Sequence, residues 1–245
     1  MGVKSGKTIN SKRISIVLPT YNEKHNIKNM IERTISSVKD LHEIIVIDDD
    51  SPDGTAGIVS KISSTNPKVR LILRTEERGL ASALARGIRE STGNVIGWMD
   101  ADLGMPPEDI PSLIRNIPEY DVAIGSRYAE GGRDIRDFKR RLTSRMINLF
   151  TNMLLGFSIK DFNSGFVFAK KKVFDDVHIM EKGYGQYCIR FLYDCLKKGY
   201  KIREIGYSFT ERSKGVSKTG SSIWPLLKHG WNYGIEVIKI KVGRS

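Results

Sequence analysis

Four short apolar runs, each separated from the next by a helical pattern, constrain this chain more than any other feature. They lie at residues 13–18, Glu43–Ile47, Val69–Leu73 and within Asn94–Met99. Between the first two, Ile27, Met30, Ile31, Ile35 and Val38 recur at the spacing of one helix face over residues 24–38. After the second, Ser51-Pro52-Asp53-Gly54-Thr55 supplies turn formers and a helix start ahead of Ile58 and Ile62. Ala81 to Arg89 forms a third helical segment. The apolar runs are continuous rather than alternating, so each strand is apolar on both faces. Strands of that kind, joined by helices, make a mostly parallel sheet covered on both sides. Pro19-Thr20 is expected to stop the first strand.

A fourth helix is expected at Pro107–Asn116 and a strand at Asp121–Ser126. Then the rhythm changes. Residues 133–145 hold six Arg or Lys against two Asp, and Leu142, Met146, Leu149, Phe150, Met153 and Leu154 form an apolar helical stripe. A strand at Phe166–Ala169, a helix near 186–198 and a strand at Lys201–Ile205 complete the body. With no repeat and no low-complexity linker, the expectation is one α/β domain over 12–220. A basic N-terminal tail (1–11) and an amphipathic C-terminal tail (221–245) flank it.

Forty Lys and Arg stand against 28 Asp and Glu, a net charge of +12, which favours an anionic partner. No run approaches the roughly 20 apolar residues of a membrane span, and residues 1–10 lack the apolar core of a signal peptide. Cys188 and Cys195 sit two turns apart on one helix, too far for a disulfide. These features point to a cytoplasmic protein, peripheral on the cytoplasmic face of a membrane. The basic excess is concentrated late, and no aromatic-basic module of a nucleic-acid binder is present, so nucleic acid is not an expected partner.

The strand ends carry the chemistry. The first run leads into Pro19-Thr20-Tyr21-Asn22-Glu23, the second into Asp48-Asp49-Asp50, and the fourth into Asp100-Ala101-Asp102. An Asp-rich turn is the ordinary reading of any one of these. Three on the carboxyl edge of one sheet instead line the crevice where such sheets bind ligands. Tyr21 suits an aromatic wall for a base, Asp49 an acceptor for a base N–H, and Asp100 an acceptor for ribose hydroxyls. Carboxylates alone repel a diphosphate, so phosphates require a cation. Neither Gly-x-Gly-x-x-Gly nor Gly-x-x-x-x-Gly-Lys follows the first strand, which excludes the usual dinucleotide and P-loop sites. An acid-lined, metal-dependent nucleotide site is left.

The strings LPTYNE (18–23), EIIVIDDDSPDGT (43–55), RGLASALARGI (78–88), GNVIGWMDADL (93–103) and DFNSGF (161–166) resemble the inverting family 2 glycosyltransferases of the GT-A, Rossmann-like fold. Within that family the likeness is to dolichol-phosphate (polyprenol-phosphate) mannose synthases. The resemblance covers residues 13 to about 220. It implies that Pro19, Tyr21, Glu23, Ile47 and Asp49 cradle the nucleoside, and that Asp100 and Ala101 line ribose and diphosphate. It further implies that Asp102 ligates Mg²⁺ or Mn²⁺ and that Arg127 lies near donor or acceptor phosphates. Arg212 and Lys218 would meet the donor diphosphate, and Arg140 and Ser144 the lipid phosphate; Asp102, Arg212 and Lys218 are the implied catalytic set. Gly104 departs from the pattern, since many members carry a polar residue there.

Sugar transfer to an alcohol needs a general base. Polysaccharide-building relatives provide one beside a Gln-x-x-Arg-Trp string. Here Gln186-Tyr187-Cys188-Ile189-Arg190 has its Arg one residue late. A phosphate monoester, with a second pKa near 6, arrives already anionic and removes the requirement. The resemblance then implies mannose transfer from GDP-mannose to dolichyl or polyprenyl phosphate, at a membrane surface reached directly or through a small anchoring partner, and the missing base fits such a phosphate acceptor. UDP-glucose on the same fold is the alternative donor.

Overall fold

The computed structural model describes residues 12–183, 185–210 and 223–243, the side chains of 223–230 excepted. In chain order, β1 (Ile14–Thr20), α1 (Ile27–Ser37), β2 (Leu41–Asp48), α2 (Thr55–Ser63), β3 (Val69–Leu73), α3 (Leu80–Glu90) and β4 (Val95–Trp98) alternate strictly. A 3₁₀ turn at Pro107–Asp109 enters α4 (Ile110–Asn116), followed by β5 (Val122–Ser126), β6 (Arg133–Asp134) and α5 (Phe138–Leu155). Next come β7 (Val167–Lys170), α6 (Lys171–Asp176), α7 (Gln186–Lys197), β8 (Ile202–Gly206), β9 (Ser208–Phe209) and α8 (Ile223–Lys241).

Seven strands form one sheet in the order β3-β2-β1-β4-β7-β5-β8, and β6 pairs with β9 in a small ribbon. All neighbours in the large sheet are parallel except β7, which runs antiparallel to both β4 and β5. Gly97 faces Phe168 across the β4–β7 pair. A Cβ at 97 would lie 2.3 Å from that ring, so the missing side chain is the seat that lets β7 enter.

Strand β1 runs through Pro19 rather than stopping before it. The reason is local. β4 pairs with β1 only as far as Val17, and Met99 N–H donates to Val17 O. Alternate residues present their backbone groups to the same neighbour. Residue 19 therefore faces the side on which pairing has ended, where a missing N–H costs nothing.

Two apolar layers sandwich the sheet. Val17, Ile45, Ile47 and Trp98 pack under α3, α6, α7 and the C-terminal half of α8, where Val237 and Ile240 are buried. Ile16, Leu18, Ile44 and Val46 pack under α1, α2 and α4. Both cysteines are buried and unpaired.

Helix α5 is inverted relative to ordinary amphipathic packing. Asp137 caps its start by accepting from Arg140 N–H, and Gly156 in the left-handed region ends it. Its inward residues are Ser144, Asn148, Thr151 and Leu155, three of them polar. The apolar stripe faces out, with Phe138 67%, Leu149 62% and Met153 75% exposed. α8 packs against α5 and α7 and adds exposed Trp231, Ile235 and Ile238. Among the described residues no helix is long and apolar enough to cross a membrane.

Candidate active site

After β1 the chain moves to β2 and β3 on one side, then returns to β4 on the other. The β1/β4 boundary is thus a topological switch point, where loops diverge and leave a crevice. Tyr21 and Glu23 follow β1, Asp49 follows β2, and Asp100, Ala101 and Asp102 follow β4, so the fold gathers the expected acidic edge around one opening. Pro19 and Ile47 are neighbours in the β1–β2 register just beneath it.

The described non-glycine residues with positive φ are Asn22 (59°), Asp50 (54°) and Leu103 (66°). They follow β1, β2 and β4, one in each loop of the crevice. Left-handed backbone away from glycine persists only where the surroundings hold it. Here the holding is visible. Asn22 N–H donates to Ser51 Oγ, which itself donates to Asp48 Oδ2, and Thr20 Oγ1 donates to the same carboxylate. Glu23 N–H donates to Thr55 Oγ1, and Asn26 Nδ2 donates to Glu23 Oε2.

Asp49 is buried, and its Oδ1 accepts from Arg74 Nε at 2.7 Å while Oδ2 accepts from Gly79 N–H at 2.7 Å. Arg74, also buried, continues to Ser82 Oγ and Gly79 O. The Asp49 carboxylate is therefore fixed by a charge 25 residues away, a partner no local pattern reveals. Arg78 lies 5.5 Å over the Tyr21 ring, so a guanidinium and an aromatic face share the rim.

Asp102 is 7% exposed, and its Oδ1 accepts from Gly104 N–H at 2.9 Å. Gly104 O accepts from Thr210 N–H, and Leu103 O from Thr210 Oγ1. A Cβ at 104 would come within 3.0 Å of both Asp102 Oδ1 and the Phe209 ring. A side chain there would require Asp102 or Phe209 to give by a few tenths of an ångström, so glycine is the residue that fits without adjustment. Asp100, half-buried, acts electrostatically on the start of α7. Burial holds Tyr187 and Cys188 protonated and Asp100's charge adds to that, so Cys188 is an inert thiol.

Arg127 does not point freely at a phosphate. Its backbone N–H and Nε donate to Asp161 Oδ2 at 2.9 and 2.8 Å, and Nη2 donates to Asp161 Oδ1 at 2.6 Å and to Asn163 Oδ1. Both side chains are buried, at 5% and 0% exposure. An open pocket of about 400 Å³ is lined by Arg127, Tyr128, Arg145, Asn148, Leu149 and Lys160.

The β6–α5 segment brings a second cluster to the same edge. Asp134 accepts from Arg136 Nε at 2.8 Å, from Arg136 Nη2 at 2.6 Å and from Tyr128 OH at 2.9 Å. Burial raises the Asp134 pKa, but Arg136, Arg127 and the Tyr128 hydroxyl outweigh it and hold the carboxyl at about 2. Phe209 lies under two guanidinium groups, 5.2 Å from Arg136 and 5.8 Å from Arg127. Ser144 is buried against Arg136, while Arg140 is 20% exposed and pairs with Asp137 at 3.3 Å. Arg212 and Lys218 lie outside the described residues. Arg190, from the displaced Gln-x-x-x-Arg string, turns instead to Asp194 and to Glu236 of α8. Arg74, Arg136, Asp161 and Phe209 carry much of this geometry. Sequence alone gives them no role, because each is defined by a partner distant in the chain or by a contact across the fold.

Comparison with known proteins agrees with the architecture. Over 225 residues the chain is 39% identical to the dolichol-phosphate mannosyltransferase of Pyrococcus furiosus, covering 89% of this chain and 62% of that protein. It therefore spans less than two thirds of that relative's length. It is 32% identical over 224 residues to the polyprenol monophosphomannose synthase of Mycolicibacterium smegmatis, covering 87% and 83%. Among solved structures, glucosyl-3-phosphoglycerate synthase of Mycobacterium tuberculosis, in complex with Mn²⁺, UDP and phosphoglyceric acid, superposes with a TM-score of 0.71 at 17% identity. That match covers 96% of this chain and 80% of the other, and it shows the shared GT-A fold. Residues 15–177 match the family described as glycosyl transferase family 2, and the chain belongs to it.

Proposed function

We propose that this protein moves mannose from GDP-mannose to the phosphate of a dolichyl or polyprenyl lipid, with inversion at the anomeric carbon. The observation that carries the reading is a junction. The acidic β1/β4 crevice and the arginine cluster of β6 and α5 meet at Phe209, beside an outward-facing apolar helix surface. A sugar nucleotide fits the first, a phosphate monoester the second, and an isoprenoid chain the third. The names of the Pyrococcus and Mycolicibacterium relatives point the same way.

Attack comes from an acceptor phosphate oxygen. The new bond joins that oxygen to the sugar's anomeric carbon while the bond to the nucleoside diphosphate breaks, and no proton has to be removed from the nucleophile. Asp100 and Asp102 fit Mg²⁺ or Mn²⁺, which take one or two carboxylates and complete their shells with water and phosphate oxygens. Among the described residues no group of three or more His, Cys, Asp or Glu could hold a metal ion. A bound cation would neutralise the departing diphosphate, with Asp102 as its principal protein ligand. Arg212 and Lys218 are assigned to the same diphosphate.

The apolar faces of α5 and α8, flanked by Lys139, Arg141, Arg145, Lys239 and Lys241, suit the surface of an anionic bilayer on its cytoplasmic side, with or without a small membrane partner. The deciding experiment incubates the protein, Mn²⁺ and a panel of sugar nucleotides with polyprenyl phosphate, followed by mass spectrometry of the lipid. A mannosyl lipid from GDP-mannose is expected. A glucosyl lipid from UDP-glucose reassigns the donor, and absence of product with every donor overturns the reading.

A further inference from the structure

Every N–H of Arg74 is engaged within the fold. Nε and Nη2 donate to Asp49 Oδ1 at 2.7 and 2.5 Å, and Nη2 donates also to Gly79 O. Nη1 donates to Ser82 Oγ at 3.0 Å and pairs with Glu77 at 3.2 Å, which accounts for the five donors of a guanidinium. The side chain is 7% exposed. With no donor spare it holds neither a phosphate nor a base carbonyl. Whatever Arg74 does for a ligand, it does through Asp49.

An ionised carboxylate offers about four acceptor positions, two on each oxygen. Arg74 fills both on Oδ1, and Gly79 N–H fills one on Oδ2 at 2.7 Å. Gly79 holds φ +144°, a backbone that side chains rarely adopt, so glycine itself fixes the donating amide. One acceptor position is left, on Oδ2. The side chain of Asp49 is 9% exposed, and its neighbour Asp50 pairs with Arg78, the guanidinium lying over the Tyr21 ring. A single acceptor beside an aromatic rim discriminates between bases. Guanine and uracil each bring a ring N–H to it. Guanine adds a 2-amino group, and engaging both donors takes a second acceptor. Adenine and cytosine present a bare ring nitrogen there, itself an acceptor.

We propose that Arg74 sets base specificity as a positioning residue: by closing Oδ1 it leaves Asp49 one acceptor, which reads the ring N–H of the donor's base and ignores the 2-amino group of guanine. This rests on a nucleotide donor in the crevice with Asp49 as the acceptor for its base. Inosine diphosphate, which is GDP without the 2-amino group, is then as good a ligand as GDP.

The test is calorimetric binding of GDP, inosine diphosphate, UDP and CDP to the full chain with Mn²⁺ present. Removing a group that makes no hydrogen bond costs little, so the Kd values of GDP and inosine diphosphate should agree within about threefold. CDP should bind about tenfold or more weaker than UDP, having lost a hydrogen bond to a charged acceptor. Arg74→Lys puts one point donor where Nε and Nη2 stood and reopens a position on Oδ1, so GDP should gain on inosine diphosphate by about fivefold or more. A larger GDP preference in the wild type, equal binding of UDP and CDP, or an unchanged ratio in Arg74→Lys overturns the proposal. Should Arg74→Lys fail to fold, the wild-type ratios decide. Binding of UDP without GDP overturns the GDP-mannose donor, and the UDP-to-CDP ratio then decides the Asp49 contact by itself. Binding of none of the four overturns both readings.

Discussion

Asp161→Asn isolates the energetic centre of the second half of the molecule. The carboxylate receives Arg127 N–H, Nε and Nη2, and Asn148 Nδ2 at 3.4 Å, with both charged side chains buried. An amide of the same shape keeps one acceptor oxygen and turns an NH₂ toward donors, and it leaves the Arg127 charge without its counterion. Removing one member of a buried pair costs about 3–5 kcal/mol. At about 2–4 °C per kcal/mol for a chain of this size, the melting temperature should fall by about 6–20 °C. Urea denaturation gives the free energy directly, and a double-mutant cycle with Arg127→Met gives the coupling. Asp161→Leu combined with Arg127→Met should recover a large part of the loss, because it removes both buried charges. A loss below about 1 kcal/mol in Asp161→Asn, or strict additivity in the cycle, would refute the claim that this pair is a buried, mutually dependent unit.

Three other outcomes are expected. Asp102→Asn keeps the oxygen that receives Gly104 N–H, so its melting temperature should match wild type while transfer falls about 100-fold or more; wild-type turnover would remove the cation assignment. Glu43 is buried, which raises its pKa, but Thr92 N–H, Arg70 and the Thr92 and Ser15 hydroxyls hold it at about 2. A depressed carboxyl stabilises the fold above its ordinary pKa near 4.5, and that contribution is lost as pH falls toward 2. Urea stability measured from pH 7 to 3 should decline less steeply in Glu43→Gln than in wild type, and identical slopes would contradict the linkage. Met146→Asp with Met153→Asp, both on the exposed face of α5, should abolish co-sedimentation with anionic vesicles without lowering the melting temperature. Undiminished vesicle binding would exclude this face as the docking surface.

The first half of the fold was legible because its information is local. Continuous apolar runs, helix-spaced stripes and acidic strand ends each declare themselves within a dozen residues, and β1 to β4 follow them. The acidic crevice was legible for the same reason. The antiparallel entry of β7 was not, since it depends on Gly97 receiving Phe168 from 71 positions away. The orientation of α5 was not either. Periodicity shows that a stripe exists, but the side that faces in was decided by Asp161, Phe162 N–H and Arg136 satisfying Asn148 and Ser144. Arg74 and Arg136 were invisible as site residues because a surface Arg and a pinned Arg are spelled alike.

The placement of β7 also shapes how the chain comes off the ribosome. β5 borders β7 and β8 only, and both are synthesised after it. At about 5–20 residues per second, β5 waits several seconds for residues 167–170, with no strand yet made to cover either edge. β1 to β4 form a contiguous set that can assemble during that interval. A nascent chain with β1 to β4 assembled would leave the largely apolar β5 bare beside them, which marks β5 as the segment a chaperone has most reason to hold.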